Sequence, residues 1–422
     1  MKAFSRKTYI KHIFILLFTS FIIHKSYALQ DYNKSYKEII EPLSSDSLFG
    51  RSIFNNGKNK ALDFLKVYLR DNSPKEIKFK EFSFDTTFNQ IGNVSLSINN
   101  VLIRLENNYL PSGNTPSINK NTIVHAFLDE FFIRENHPKL KQQELNGDFA
   151  IIKKTSKPKD DHSISLSEKI SLLSYLGAKA IFIETDVLMF SPSVSQEILP
   201  LIWILPNLIS DKDSISLKIT SSIEKYTVTN LLATPSQITT KPALTLMAHY
   251  DHLGTINNSL IYNGANDNAS GVALAINLFL LSMSRTNQTQ LILTDAEELG
   301  LLGSKALQHS GKFHPISYLI NLDMMGSQTK GLATVGFNDH DSAKVRLISI
   351  ADSLSINLKF RTNSPNSDHY FFLENGVKGF YIYSNEGKQP YHKSTDDYLS
   401  LDYDFLIKSE QVLNQYFVYL GF

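Results

Sequence analysis

Over the last 180 residues, short apolar runs of strand length alternate with helical stretches, and polar chemistry begins where the runs stop. Residues 243–248 lead into His249. Residues 291–293 stop just before Asp295 and the Glu297-Glu298 pair. Residues 318–322 are followed by Asp323, and residues 378–383 precede the loop that carries His392. Residues 271–283 are apolar on nearly every face, as a buried helix is, and residues 402–420 read as a closing helix. This alternation predicts an α/β fold with a mixed, largely parallel central sheet flanked by helices. Sites in such sheets lie beyond the carboxyl ends of the strands, and three of these candidate residues follow strand ends closely.

The earlier chain reads differently. Residues 31–85 look helical, with Leu62, Leu65, Val67 and Leu69 spaced among Lys and Asp until Asp71-Asn72-Ser73-Pro74 stops the pattern. Residues 99–120 read as loops joining short strands. Strand-like runs follow at 123–128, 149–152 and 180–183, with a helix pattern at 165–176 ending at Gly177. A run at 215–219 is separated by a polar patch from another at 228–232. This middle block reads as a separate, smaller β-rich module without candidate ligands.

Lys2, Arg6, Lys7 and Lys11 precede an apolar stretch at 13–18 and 21–23, and Ser26-Tyr27-Ala28 follows. That order predicts a secretory signal cleaved after Ala28; the alternative is an uncleaved anchor. Removal of residues 1–28 takes away five basic side chains and leaves 37 basic and 41 acidic residues. With no basic stripe, nucleic acid and anionic lipid are poor candidate partners. The expectation is a product secreted or periplasmic, without stable membrane association. The chain has no cysteine, so thiolate catalysis and thiolate ligands are excluded. Any metal is held by His and carboxylates, which suit a hydrolytic zinc site.

Five such groups occur in order: His249, Asp267, Glu298, Asp323 and His392. His249 can bind a metal or be a satisfied strand-end histidine. Asp251, two residues on, is placed to fix its tautomer, while His252 reads as structural. Asp267 sits in a Gly-flanked stretch opening the buried helix and can bridge two cations; Ser270 is a candidate cap for that helix. Glu297 and Glu298 point differently from the backbone, so one can hold a metal while the other faces water. An Asp at an apolar strand end, such as Asp323, is costly to bury unless paired or metal-bound.

Together the segments MAHYDHLG, NGANDNASG, TDAEELGLLGS, NLDMMG, SDHYFF and YHKSTDD resemble the M28 family of zinc exopeptidases, its aminopeptidase side in particular. LSSDSLFGR at 43–51 is similar to the family's lead-in. ELNGDFAIIKK, SEKISLLSYLGAKAIFIE and TVTNLLA resemble the protease-associated domain inserted in many members. After the expected signal peptide (1–28), the resemblance implies a lead-in (29–95), a protease-associated-like insert (96–225) and a peptidase domain (226–422). It further implies two zinc ions per chain bridged by Asp267, with Glu298 and His392 completing one site and His249 and Asp323 the other. Glu297 would be the general base toward a metal-bridging water, Asp251 would orient His249, and the Asp267–Asn268 bond would be cis. His369 in SDHYFF is either a pocket residue or structural.

The implied activity is hydrolysis of N-terminal residues from peptides. Three other readings remain open. A glutaminyl cyclase holds a single zinc and usually has a tryptophan before the last histidine, where this chain has Tyr391. A carboxypeptidase-type relative needs an arginine for the substrate carboxylate, and only Arg285, Arg346 and Arg361 follow residue 226. A non-catalytic binding protein on this scaffold would be expected to lose ligands.

Overall fold

The computed structural model describes residues 34–52, 56–129, 145, 148–154, 165–210, 212–329, 331–337, 342–385, 387 and 390–422. The expected signal sequence lies outside them. Helix α1 (residues 34–43) and α2 (Gly57–Asn72) fall in the expected lead-in and are joined through a 3-10 turn at Asp46–Arg51. Leu62, Leu65 and Leu69 of α2 face the main core, Val67 faces solvent, and the helix stops before Pro74 as expected.

The helical reading of residues 31–85 fails over its last part. Strand β1 (Ile77–Ile98) begins at Ile77. Ile77 and Phe79 pack on one core, whereas Phe82, Phe84 and Phe88 pack on the other side of the sheet. That is a period of two, the signature of a strand.

The middle block contains β2 (Val101–Leu102), β3 (Tyr109–Pro111), β4 (Ile118–Asp129), β5 (Phe149–Lys153), α3 (Leu166–Tyr175), β6 (Ala180–Glu184) and β7 (Leu201–Ile204). Strands β4, β5, β6 and β7 are parallel neighbours, and β3 closes the edge antiparallel to β7. Helix α3 starts at a capping box between Ser165 and Glu168. Strand β8 (Ser214–Pro235) follows as one 22-residue element, not the two runs expected around a polar patch. Its first part, with Ile215, Leu217 and Ile219, belongs to the core of the inserted block; Leu231 and Ala233 belong to the main core. Between these cores the polar stretch 221–227 stays in the strand because β1 pairs with each of its residues, with a register shift between Ile91 and Val94 beyond. The expected boundaries at 96 and 225 fall inside β1 and β8.

The remaining elements are β9 (Ala243–His249), β10 (Gly254–Ile256), β11 (Leu260–Tyr262), α4 (Gly271–Arg285), β12 (Thr289–Thr294), α5 (Leu302–Ser310), β13 (Ile316–Leu322), β14 (Gly331–Val335), α6 (Ser342–Ser353), β15 (Asn357–Arg361), α7 (Tyr370–Glu374), β16 (Gly379–Asn385) and α8 (Tyr403–Leu420). The sheet order is β15-β14-β16-β13-β9-β12-β8, continuing through β4 into the inserted block. Strands β12, β9, β13 and β16 are parallel, while β8 and β14 flank them antiparallel. The sheet is therefore mixed and largely parallel. Core residues of α2, α4 and α8 cover one face; Leu307 of α5 and Phe372 of α7 cover the other. Every residue of β9 and β12 is buried, and the polar side chains among them are paired, with Gln290 donating to the Thr245 hydroxyl at 2.9 Å. The β10–β11 hairpin inserts Ile256 and Tyr262 into the core of the inserted block, so the two parts interlock.

Candidate metal centre

Because β9, β12, β13 and β16 run parallel, their carboxyl ends meet on one side of the sheet. His249 is the last residue of β9, Asp323 follows β13, Glu297 and Glu298 follow β12, and His392 lies in the loop after β16. Asp267 comes from the irregular turn Ala265–Ser270 that leads into α4. Gly264 enters this turn at φ +60, where a Cβ would meet Asp267 O at 2.2 Å and the His252 ring at 2.4 Å; only glycine fits there. The Asp267–Asn268 bond is cis.

The five groups converge. His249 Nε2 is 3.3 Å from Asp267 Oδ1 and 3.3 Å from Asp323 Oδ1. His392 Nε2 is 3.4 Å from Asp267 Oδ2 and 3.1 Å from Glu298 Oε2. Each Asp267 oxygen thus faces a different histidine. His249, Asp267 and Asp323 form one compact set of metal-capable atoms, and His249, Glu297 and Glu298 form another that overlaps it.

Adjacent turns hold this arrangement. The Asp251 carboxylate lies 3.7 Å from His249 Nδ1 and accepts the backbone N–H groups of Glu297 and Glu298 at 3.3 and 3.4 Å. Ser367 donates to Asp323 Oδ2 at 2.8 Å. Ala296, at φ +58, turns the chain between Asp295 and Glu297. Ser270 does not cap α4 with its side chain. Asn268 Oδ1 takes the Gly271 N–H at 3.0 Å instead, and Ser270 donates to Asn266 O at 2.7 Å.

The two adjacent glutamates are biased oppositely. Burial, together with the carboxylates of Glu298, Asp323 and Asp368, pushes Glu297 well above the usual carboxylate range, against the pull of His249. Burial also acts on Glu298, but His392 and the His252 hydrogen bond overcome it and hold the group at about 2. Burial would lower His392, yet Glu298 and Asp267 beside it raise it to about 11.

In the sequence His252 reads as structural, and Asp396 and Arg51 have no assigned role. His252 Nδ1 lies 2.7 Å from Glu298 Oε1, and His252, Asp267 and Glu298 form a third metal-capable set. Asp396 accepts the N–H groups of Asn266 and Asp267 at 2.9 and 3.0 Å and so sets the Asp267 turn. Arg51 is fully buried and donates to the carbonyls of Tyr250, Leu43, Asn263, Gly264 and Asp267. Both lay inside quoted segments, YHKSTDD and LFGR, but a charge in a loop does not disclose which backbone it serves. His369 is buried, with its ring 5.1 Å from that of Tyr381.

The donor set fits divalent cations. Four carboxylates (Asp267, Glu297, Glu298, Asp323) crowd two imidazoles in a buried pocket, an excess of negative charge that is costly without a compensating cation.

The sequence of residues 230–417 matches peptidase family M28. These residues are an M28 peptidase domain. Likeness of fold extends beyond them. The aminopeptidase from Aneurinibacillus sp. strain AM-1 superposes with a TM-score of 0.64 at 19% identity, covering 91% of this chain and 93% of that one. The zinc aminopeptidase BSAP from Bacillus subtilis gives 0.67 at 17% identity over 93% and 94%. The peptidase M28 precursor from Shewanella amazonensis SB2B gives 0.67 at 16% identity over 92% and 95%. At such coverage the shared fold takes in residues before 230 as well as the M28 domain. A search of curated protein sequences finds no match.

Proposed function

We propose that this M28 protein is an exported di-zinc aminopeptidase that removes N-terminal residues from peptides. The observation that carries the reading is the two-sided environment of Asp267, with Oδ1 toward His249 and Oδ2 toward His392. A carboxylate so placed suits a bridge between two cations. His249 and Asp323 would complete one zinc site, and Glu298 and His392 the other. Asp251 would hold His249 in orientation. Residues 29–95 serve as the lead-in and 96–225 as a protease-associated-like insert. The order of residues 1–28 supports export to the periplasm or medium. Among the described residues no helix is long and apolar enough to cross a membrane.

Zinc, when bound, supplies Lewis acidity that makes water a better nucleophile and polarises a carbonyl. Glu297 is the proton carrier. Its carboxylate lies in the compact set with His249 and Glu298, which suits a group that takes a proton from the attacking water and delivers it to the departing amine. Glu298, held ionised, suits a ligand. The acidic surroundings also suit recognition of a free α-amino group.

A panel of aminoacyl-coumarins, assayed with and without chelator alongside zinc stoichiometry, tests the proposal. Two zincs per chain and chelator-sensitive release of coumarin are expected. One zinc with cyclisation of N-terminal glutamine, cleavage only from the carboxyl end, or intact peptides after long incubation would each overturn it.

A further inference from the structure

The loop that carries His392 is anchored from two sides. Asp396, four residues on, ties it to the Asp267 turn within the M28 domain. Ser394, between them, is tied to the inserted block. Glu106 Oε1 accepts the Ser394 N–H at 2.7 Å, and Glu106 Oε2 accepts the Ser394 hydroxyl. These partners are 288 residues apart in sequence. Hydrogen bonds to an ionised carboxylate are roughly twice as strong as neutral ones, and a paired N–H and O–H grip fixes orientation as well as distance.

Glu106 is itself held in a built turn. It lies between β2 and β3 at φ +63, its N–H donates to Tyr109 O at 2.8 Å, and Asn108 accepts the Leu205 N–H at 3.0 Å. Tyr109 and Leu110 behind it are buried in the core of the inserted block. The carboxylate is therefore presented from a packed support. At the other end, His392 has φ +53, a conformation that side-chain-bearing residues seldom adopt without external constraint.

We propose that Glu106 is a positioning residue for His392, and that the inserted block is by this contact a working part of the metal centre. It does not touch the reacting atoms. It acts through Ser394 to keep the imidazole facing Glu298 and Asp267. The inference rests on the di-zinc reading above, and one readout is independent of it.

The test compares full-length wild type with Glu106→Ala, Glu106→Gln, Glu106→Asp and Ser394→Ala. Zinc affinity is measured by competition with a chelator, and backbone exchange by hydrogen–deuterium mass spectrometry of residues 391–397. Removing a group that orients a ligand typically weakens metal binding by ~10–100-fold. Glu106→Ala is expected to lose affinity in that range at one zinc only and to speed exchange locally. Ser394→Ala, which keeps the backbone N–H, should show a smaller loss, and Glu106→Asp a partial recovery. If Glu106→Ala unfolds, Glu106→Gln and Ser394→Ala decide on the same readouts. Wild-type zinc affinity and wild-type exchange in Glu106→Ala would overturn the inference while leaving the di-zinc reading intact. A wild type that binds no zinc would overturn the di-zinc reading, and local exchange alone would then judge the Glu106 contact.

Discussion

The Lys58 ammonium lies 2.8 Å from the Asp295 carboxylate, with both side chains buried. This pair joins the lead-in helix α2 to the turn that carries Glu297 and Glu298. Lys58 also donates to Thr227 O and sits 4.4 Å over the Tyr226 ring. Asp295 accepts the Thr229 N–H at 2.7 Å and the Ala296 N–H at 2.8 Å, and takes the Tyr226 hydroxyl. Every polar group of the cluster has a partner, which is the condition under which a buried ion pair is tolerable.

Removing one partner should therefore be far worse than removing both. Lys58→Met leaves Asp295 unpaired and is expected to destabilise the fold by about 3–5 kcal/mol. The double variant Lys58→Met/Asp295→Asn should recover a substantial part of that loss. Urea unfolding of the full double-mutant cycle measures it. Additive single effects would mean the two side chains do not act as a pair.

Glu297→Gln tests the proton carrier. The amide keeps the shape of the side chain but cannot accept the proton. Metal content should stay at the wild-type value while kcat falls by ~10²–10⁴-fold, the range for general-base loss. Elemental analysis and steady-state kinetics on one preparation give both numbers. Near-wild-type turnover in a fully metal-loaded variant would remove Glu297 from this role.

His369 makes a prediction about pH. Burial lowers its folded-state pKa to about 3, from the ordinary value of 6.5. Below pH 6.5 the unfolded chain takes up a proton here that the folded chain refuses. Stability present above pH 6.5 should thus decline as pH falls toward 3, by up to ~1.4 kcal/mol per pH unit from this group. His369→Phe keeps a ring beside Tyr381 and removes the titration. The wild-type-minus-variant difference in unfolding free energy should grow with pH over that window. A flat difference would show that His369 stays solvated.

Chelation should weaken the fold as well as stop turnover. Metal removal leaves Asp267, Glu297, Glu298 and Asp323 facing one another around two imidazoles. A ligand present at 100 times its Kd stabilises the native state by about 2.7 kcal/mol. Calorimetry of chelated and zinc-restored protein should show Tm falling and then recovering in two zinc-dependent steps. A Tm insensitive to chelator, with the metals verified as removed, would contradict the picture of carboxylates held together by cations.

Much of the fold around the centre was readable before the structure. The pattern works locally: a strand buried on both faces is a run of apolar residues, and its end is where polar residues become affordable. Hence His249, Glu298 and Asp323 could be placed at the ends of β9, β12 and β13. The 22-residue strands β1 and β8 were not legible in full. The polar middle of β8 serves a ribbon joining two cores and carries little hydrophobic period, whereas the alternation of β1 over residues 77–88 is present in the sequence, within the stretch that reads as helix.

By itself, the sequence determined the order of His249, Asp267, Glu298, Asp323 and His392 along the chain and the parallel architecture that brings strand ends together. Only the tertiary structure decided what holds them there: Arg51 on five carbonyls, Lys58 on Asp295, Asp396 on the Asp267 turn and Glu106 on Ser394. Those contacts join residues far apart along the chain. Local composition dictates what a segment must bury, but not which distant backbone or carboxylate it will meet once buried; that partner is set by packing.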